Sequence, residues 1–399
     1  MSLRIGPGAM VAAAFIGPGT VTTASVAGAT SGITLMWAVA FSVLATLVLQ
    51  ELSLRSALAT QQDLATLVRE MGSGHWWGPL LVVLIIAAIG VGNAAYQSGN
   101  LSGAGIGLSA VLPMSFPVVV AIAASLAAAL IVLDHYRWLE RLLVSLVALM
   151  ALLFSGLAVL VLPLLLLQSG ERLMPAFSLA NLNLALALVG TTVVPYNLFL
   201  HATAVRRRWQ GEPVDGALRG ARKESMLAIL IGGGITFSIM SVAAALIPSA
   251  PEQEVLPALM AAIDRQFPGG GTVAVGVGLF AAGLTSAIAA PIAAGWAVCG
   301  ALGWSTSPGS RGFKAVALLV LVVGTLFAVV TARPAVLIVT AQITNALLLP
   351  VIAVILVALA NSELLPERFR NRGSANLLAI AVLVIVGVLA LTKLAKLLT

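Results

Sequence analysis

The chain has one cysteine, Cys299, in 399 residues, which leaves neither a disulfide framework nor a cysteine metal cluster open to it. Charge is scarce as well. Only 9% of residues are charged and 60% are hydrophobic, whereas about one quarter of an ordinary soluble domain is charged, so a water-soluble fold is excluded. The 14 acidic residues avoid the centres of the apolar stretches. A membrane-embedded enzyme, which needs clustered acidic or histidine ligands, and a channel filter built from charged rings both lose their raw material. No ATP-binding motif is present, so any work done across a membrane draws on an ion or solute gradient. The net charge of +7 does not point to nucleic acid, because the basic residues lie in the breaks between apolar stretches rather than on one soluble face.

What the sequence has in abundance is apolar stretches of membrane length. A span of the hydrocarbon core takes about 20 apolar residues, and eleven such stretches are predicted at 10–33, 35–58, 79–112, 117–134, 139–167, 183–206, 223–248, 271–303, 313–332, 334–361 and 374–397. The breaks between them are short, the largest being 206–222 and 248–270, so residues 1–399 read as a single transmembrane domain. The first stretch carries Gly17-Pro18-Gly19 in its middle and no small-residue cleavage site follows, so it is expected to be retained rather than removed as a signal peptide. With the amino terminus in the cytoplasm, all but Arg172, Arg265, Arg333, Lys393 and Lys396 of the 21 Lys and Arg fall inside. The positive-inside rule therefore predicts an inner-membrane protein with a cytoplasmic amino terminus and an external carboxyl terminus. Trp76, Trp77, Trp138, Trp209 and Trp304 sit near span ends, as interfacial aromatics do.

Two spans are interrupted in corresponding places. The first contains Ile16-Gly17-Pro18-Gly19-Thr20 and the sixth contains Thr191-Thr192-Val193-Val194-Pro195-Tyr196-Asn197. Proline removes a backbone donor and glycine lets the chain unwind; the freed groups cannot face lipid, so they line a cavity or are buried in protein. Either interruption alone reads equally well as a proline kink. Paired in two halves, and flanked by Thr22, Thr23, Ser25, Tyr196, Asn197 and His201 in apolar helices, they predict a solute site of the kind found in inverted-repeat transporters.

At these residues the sequence resembles the Nramp family of divalent-metal transporters. Gly17-Pro18-Gly19-Thr20 stands where the family has Asp-Pro-Gly-Asn, followed by a matching Ala27-Gly28-Ala29; Val194-Pro195-Tyr196-Asn197-Leu198-Phe199-Leu200-His201 resembles Met-Pro-His-Asn-Leu-Tyr-Leu-His. Leu139-Glu140-Arg141-Leu142, Leu284-Thr285-Ser286 and Gln342 match further family positions. The resemblance runs along nearly the whole chain. It implies an all-α membrane fold of the LeuT type, two five-helix inverted repeats at about 10–167 and 183–361, an extra helix at 374–397, and helices 1 and 6 broken.

The departures fall on the residues that carry the family's metal chemistry. Gly17 replaces the ligand aspartate, Thr20 the ligand asparagine and Val194 the methionine thioether. Transition metals are selected by imidazole, thioether and carboxylate donors, and this pocket offers hydroxyls, an amide and carbonyls. Gln97 and Asn100 stand where the family has acidic residues on span 3, and Tyr196 replaces the first histidine of span 6. Amides and a phenol do not titrate near neutral pH. Only His201 keeps a family position and a residue type whose ordinary pKa is near physiological pH.

The expected substrate-binding set is Gly17, Pro18, Gly19, Thr20, Thr23, Val194, Pro195, Tyr196, Asn197 and Gln342. Asn93, Gln97 and Asn100 share one face of span 3 at i, i+4 and i+7, as an interhelical clamp or as a wall of the permeation path; Gln342 and Asn345 on span 10 allow the same two readings. Glu51 and Arg55, four apart, form a local ion pair or a gate. Glu51, Gln97, Asn100, His201 and Asn345 are thus the gating or coupling candidates. The half of span 6 that begins at its break presents a positive dipole end, which favours a carboxylate, an inorganic anion or a neutral polar solute over a bare cation. The alternative cargo is a divalent ion, magnesium or manganese, carried partly hydrated and without proton coupling. No cofactor is called for; the expected partners are the solute and the lipid bilayer.

Overall fold

The computed structural model of the chain describes residues 14–133, 136–167, 174, 181–251, 254–331 and 334–398, which contain helices and no strand. The helices are α1 (Pro18–Ser31), α2 (Met36–Thr60), α3 (Leu64–Met71), α4 (Gly78–Val111), α5 (Phe116–Leu133), α6 (Tyr136–Leu166), α7 (Leu182–Thr192), α8 (Pro195–Arg208), α9 (Val214–Leu246), α10 (Val255–Gln266), α11 (Gly270–Leu302), α12 (Arg311–Val330), α13 (Pro334–Asn361) and α14 (Gly373–Leu398). Ten spans among the described residues are long and apolar enough to cross a membrane, with α7 and α8 counted as one interrupted span. The remaining expected span, 10–33, is described from residue 14, and its regular part is the 14-residue α1. Arg4, His135, Arg172 and Arg333 lie outside the described residues, as do the side chains of Arg137, Trp138, Glu140, Lys393 and Lys396.

Helices pack here through small residues, because lipid gives no hydrophobic drive to bring apolar helices together. The antiparallel seam of α4 and α11 illustrates this. Gly107 faces the backbone of Gly276, and a Cβ on Gly283 would lie 2.6 Å from the Asn100 carbonyl. Further along, Gln97 Nε2 donates to the Ala287 carbonyl at 3.0 Å, and Asn93 Nδ2 donates to that of Ala290 at 2.9 Å. Pro291 lies inside α11 and has no N–H to give the carbonyl four residues before it, which is that of Ala287. Gln97 fills that vacancy. On its other side Gln97 packs against Gly324 of α12, so α4, α11 and α12 form one tightly joined group.

A second group gathers around the first interrupted span. Gly28 of α1 lies against the backbone of Met240 and Ala244 in α9, Gly232 of α9 receives Phe15, and Gly233 receives Val43 of α2. Ser53 of α2 donates to the Leu198 carbonyl of α8 at 2.6 Å. The outward faces of the bundle carry exposed Leu, Val, Ile and Phe, among them Leu152, Val159, Leu326 and Leu391, as a surface solvated by lipid does.

Outside the spans, Asp264 near the end of α10 caps the start of α11. Its Oδ1 accepts from the backbone N–H groups of Gly271 and Thr272 at 2.7 and 3.2 Å, and its Oδ2 accepts from Thr272 Oγ1 at 2.7 Å. The Thr272 hydroxyl first, then the two backbone amides, hold the Asp264 carboxyl below the usual aspartate value of 3.8. A depressed pKa stabilises the folded state above the unfolded value, and the contribution fades as pH falls through the folded one. Asp264→Asn is therefore expected to lower the melting midpoint in detergent at neutral pH, with the gap to the parent closing as pH is taken below 3.8. The proline clamp has its own test. Gln97→Leu should cost about 1 kcal/mol of stability, and much less in a Pro291→Ala background, where a restored N–H pairs with the Ala287 carbonyl; equal losses in both backgrounds would refute the clamp.

Candidate functional site

The two interruptions meet at the centre of the bundle. In the first, Gly17 is extended at φ −97° and ψ 178°, and Pro18 opens α1 at a position where its missing N–H is not needed. In the sixth span, α7 ends at Thr192, Val193 leaves the helix, Val194 is extended, and Pro195 opens α8 in the same way. The unwound carbonyls find side-chain partners. Thr20 Oγ1 donates to the Phe15 carbonyl at 2.9 Å and lies 2.9 Å from Thr191 Oγ1 in α7. Since the Thr20 proton is committed to Phe15, Thr191 supplies the proton of the second bond, which joins the two breaks directly. Tyr196 Oη reaches the Ala14 carbonyl only at 3.5 Å.

Around this junction the structure assembles Gly17, Pro18, Gly19, Thr20, Pro195, Tyr196 and Gln342. A Cβ on Gly19 would collide with the Gln342 side-chain amide, and Gly190 of α7 lies against the backbone of Gln342 and Ala346 in α13. Gln342 is thus wedged between the two interrupted helices, where only glycine leaves it room. Asn197 occupies the first turn of α8, Thr23 lies one turn along α1 from Thr20, and Val194 caps α8; all are buried.

Two residues absent from the expected set also lie at the junction. Tyr96 of α4 packs on Tyr196 with ring centroids 5.4 Å apart. A Cβ placed on Gly17 would lie 2.9 Å from Ser286 Oγ of α11 and 3.1 Å from the Tyr96 hydroxyl. The space beside residue 17 is therefore taken by two hydroxyl groups. Tyr96 Oη, Ser286 Oγ and Gln342 Oε1 are buried and make no hydrogen bond of ordinary geometry. Thr20, Tyr196 and Ser286 have no exposed surface, and Tyr96, Asn197 and Gln342 have 1% each. The available signal was scarcity: the chain has three tyrosines, and a buried tyrosine usually finds a partner for its hydroxyl.

Other candidates lie elsewhere. Gln97 and Asn100 sit on the face of α4 that meets α11, with Asn100 Nδ2 donating to Gln97 Oε1 at 3.3 Å. His201 Nε2 lies 2.8 Å from Ser225 Oγ of α9. Asn345 is buried one turn of α13 beyond Gln342. Glu51 is at the rim of the bundle, paired with Arg55 at 3.1 Å and with Arg222 of α9 at 2.5 Å. Among the described residues no three His, Cys, Asp or Glu side chains group as metal ligands would.

Comparison with known proteins places this architecture. Residues 8–396 match the family profile "Natural resistance-associated macrophage protein-like". The divalent metal cation transporter MntH of Agrobacterium fabrum is 30% identical over 253 residues, which cover 60% of this chain and 53% of that protein; the chain thus spans about half the length of this curated relative. A crystal structure of the Eremococcus coleocola manganese transporter superposes with a TM-score of 0.83 at 20% identity, over 98% of this chain and 86% of that one. The structure of MhsT in complex with L-phenylalanine gives a TM-score of 0.68 at 18% identity, over 98% and 99%. The fold is the all-α LeuT-type membrane architecture, with the first and sixth helices broken.

Because hydroxyls fill the space beside residue 17, Gly17→Asp cannot by itself install a metal ligand. A Cβ at residue 17 already lies 2.9 Å from Ser286 Oγ and 3.1 Å from the Tyr96 hydroxyl, so a carboxylate there has to displace both side chains, and overpacking of this kind costs about 1–3 kcal/mol. The variant should melt well below the parent in detergent and gain no manganese binding by calorimetry.

Proposed function

The chain belongs to the Nramp family, and on that premise we propose that it is a multi-pass secondary transporter that carries a small solute by alternating access between the two sides of a cytoplasmic membrane. The site is the junction of the interrupted helices, lined by Gly17, Gly19, Thr20, Tyr196, Asn197 and Gln342, with Tyr96 and Ser286 added from the neighbouring group. One observation carries the choice of cargo. The position that resembles the family's ligand aspartate is Gly17, and hydroxyls rather than carboxylates occupy the space beside it.

The chemistry that follows is neutral. Both α1 and α8 start at the junction, so two helix amino termini, each a partial positive charge with free N–H groups, converge on it. Hydroxyls and an amide supply further donors. A small anion or a neutral polar solute is stabilised by such a set, whereas a dehydrated transition metal finds no carboxylate, thioether or imidazole there.

A second reading is favoured by the relatives, whose names describe them as divalent metal cation transporters. Magnesium keeps several of its waters and accepts oxygen donors, so Thr20, Tyr196, Asn197 and nearby carbonyls would serve as an outer shell for a hydrated ion. Heat on titration with millimolar magnesium, and none with small carboxylates, selects this reading.

The orientation, with amino terminus inside and carboxyl terminus outside, is supported by the way the basic breaks gather at one end. Arg206 reaches Asp63, Arg207 donates to the Thr306 carbonyl, Lys314 donates to the Val132 carbonyl and Arg55 reaches Phe369 and Asn371. Breaks far apart in sequence and rich in arginine therefore share one face, as the positive-inside rule requires of cytoplasmic loops.

In proteoliposomes the expected outcome is no saturable manganese uptake at micromolar concentration and no acidification of the lumen. Saturable micromolar uptake accompanied by acidification would overturn the proposed cargo while leaving the family assignment intact.

A further inference from the structure

Among the described residues, Asp63 is the one buried acidic side chain, with 6% of its surface exposed. It stands at the N-cap of α3, where an aspartate ordinarily accepts from the first free amides of its own helix. Here it makes no such bond. Both oxygens are used at longer range: Oδ2 accepts from Thr306 Oγ1 at 2.7 Å, and Oδ1 accepts from Thr203 Oγ1 at 2.9 Å and pairs with Arg206 at 3.0 Å. A carboxylate that forgoes its local cap and loses hydration needs an equivalent set of charged and hydroxyl donors, and it has one only while these segments stay together.

The partners belong to different parts of the molecule. The helix α3 docks on the end of α11, with Ala65 and Thr66 against Gly300 and Arg69 against Gly303, and Thr306 follows α11 directly. Thr203 and Arg206 belong to α8, the half-helix that starts at the solute junction. The next residue, Arg207, stacks over Trp296 of α11 at 5.0 Å and donates to the Thr306 carbonyl at 2.9 Å. At Gln61, just before Asp63, the chain turns through a left-handed residue with φ of 56°, which separates α3 from α2.

We propose that Asp63 is a latch that holds α8 against the α3–α11 end of the bundle, and that this end opens to the solute junction when Asp63 releases Thr203 and Arg206. The inference rests on the alternating-access reading but not on which solute is carried. Thr203 and Arg206 form the crossing arm; Thr306 fixes the carboxylate on its own side. Opening exchanges the crossing bonds for water, so the closed state is favoured by the strength of hydrogen bonds to a charged group.

The test reads opening without any solute. In a Cys299→Ser background, Leu200→Cys places a thiol in α8 on the face shared by Tyr196 and Thr203, at a position with no exposed surface. Its reaction with a membrane-impermeant maleimide is followed in vesicles that expose either end. Asp63→Asn is expected to raise the rate about 10-fold from the Asp63 end alone, as the loss of a charge-assisted bond would do. Thr203→Val, which leaves every charge in place, should raise it less but in the same direction, and Thr306→Val should leave it at the parental rate. Parental labelling in both Asp63→Asn and Thr203→Val would overturn the latch, as would an equal rise from both ends, which marks general loosening. Uptake of magnesium and of succinate, measured on the same vesicles, keeps the two proposals apart: a change in labelling with neither taken up retains the latch and overturns the two proposed cargoes.

Discussion

At membrane depth no amide or carbonyl can go without a partner, and every other feature of this molecule follows from how the two interrupted helices meet that requirement. The first break is mended by a side chain from its own second half, since Thr20 donates to the carbonyl of Phe15. The mend is then tied to the other break, because Thr191 completes the hydrogen bonding of Thr20. A pair of hydroxyls thus makes the two halves of the chain interdependent at their weakest point. Any motion that draws α1 away from α7 must find new partners for both, and a polar solute or water at the junction is the source of such partners.

The remaining packing divides the bundle into parts that hold and parts that slide. Along α4 and α11 the contact is glycine against backbone, reinforced by amide side chains that donate into carbonyls, one of which Pro291 leaves without a donor. Such a seam leaves little room for one helix to slide on the other. Contacts of α8 with the end of α11 are of another kind: hydroxyls, guanidinium groups and a carboxylate, each of which water can replace. The proposed opening falls on α8 because its partners there are of the exchangeable kind.

Much of this was legible in the sequence. Ten of the eleven expected spans, the position of both breaks and the loops that share one end follow from hydropathy, proline and the distribution of arginine, because each is dictated locally by the bilayer. The side-chain site was legible only in part. Asn93, Gln97 and Asn100 mark a polar face of α4, and the structure turns that face onto α11, whereas the neighbouring residue Tyr96 points to the junction. Successive residues of a helix are about 100° apart, and a π-helical turn at Ile86–Val91 resets the register just before this stretch. Periodicity identifies a face without saying which neighbour it meets. Asp63 was hidden for a similar reason: an aspartate ahead of an amphipathic run looks like a helix cap, and its long-range bonds depend on Thr203 and Thr306, 140 and 243 residues away.

The placement of charge also bears on how the proposed carrier would be driven. The buried charges among the described residues, Arg55 and Asp63, both lie at the basic end, each paired. At the junction the described side chains are hydroxyl, amide and apolar. A carboxylate at the centre of a membrane must be neutralised by a bound cation or a proton before the site can close around it, and that requirement links the movement of a metal to that of protons. The proposed site, built from Tyr96, Tyr196, Ser286 and Gln342, would impose no such condition, since hydroxyl and amide groups are neutral near neutral pH. Closure is then governed by hydrogen bonds and by the contacts at the bundle's ends. On this reading the replacement of aspartate by Gly17 changes more than affinity, because it removes the group whose neutralisation would couple one flux to another.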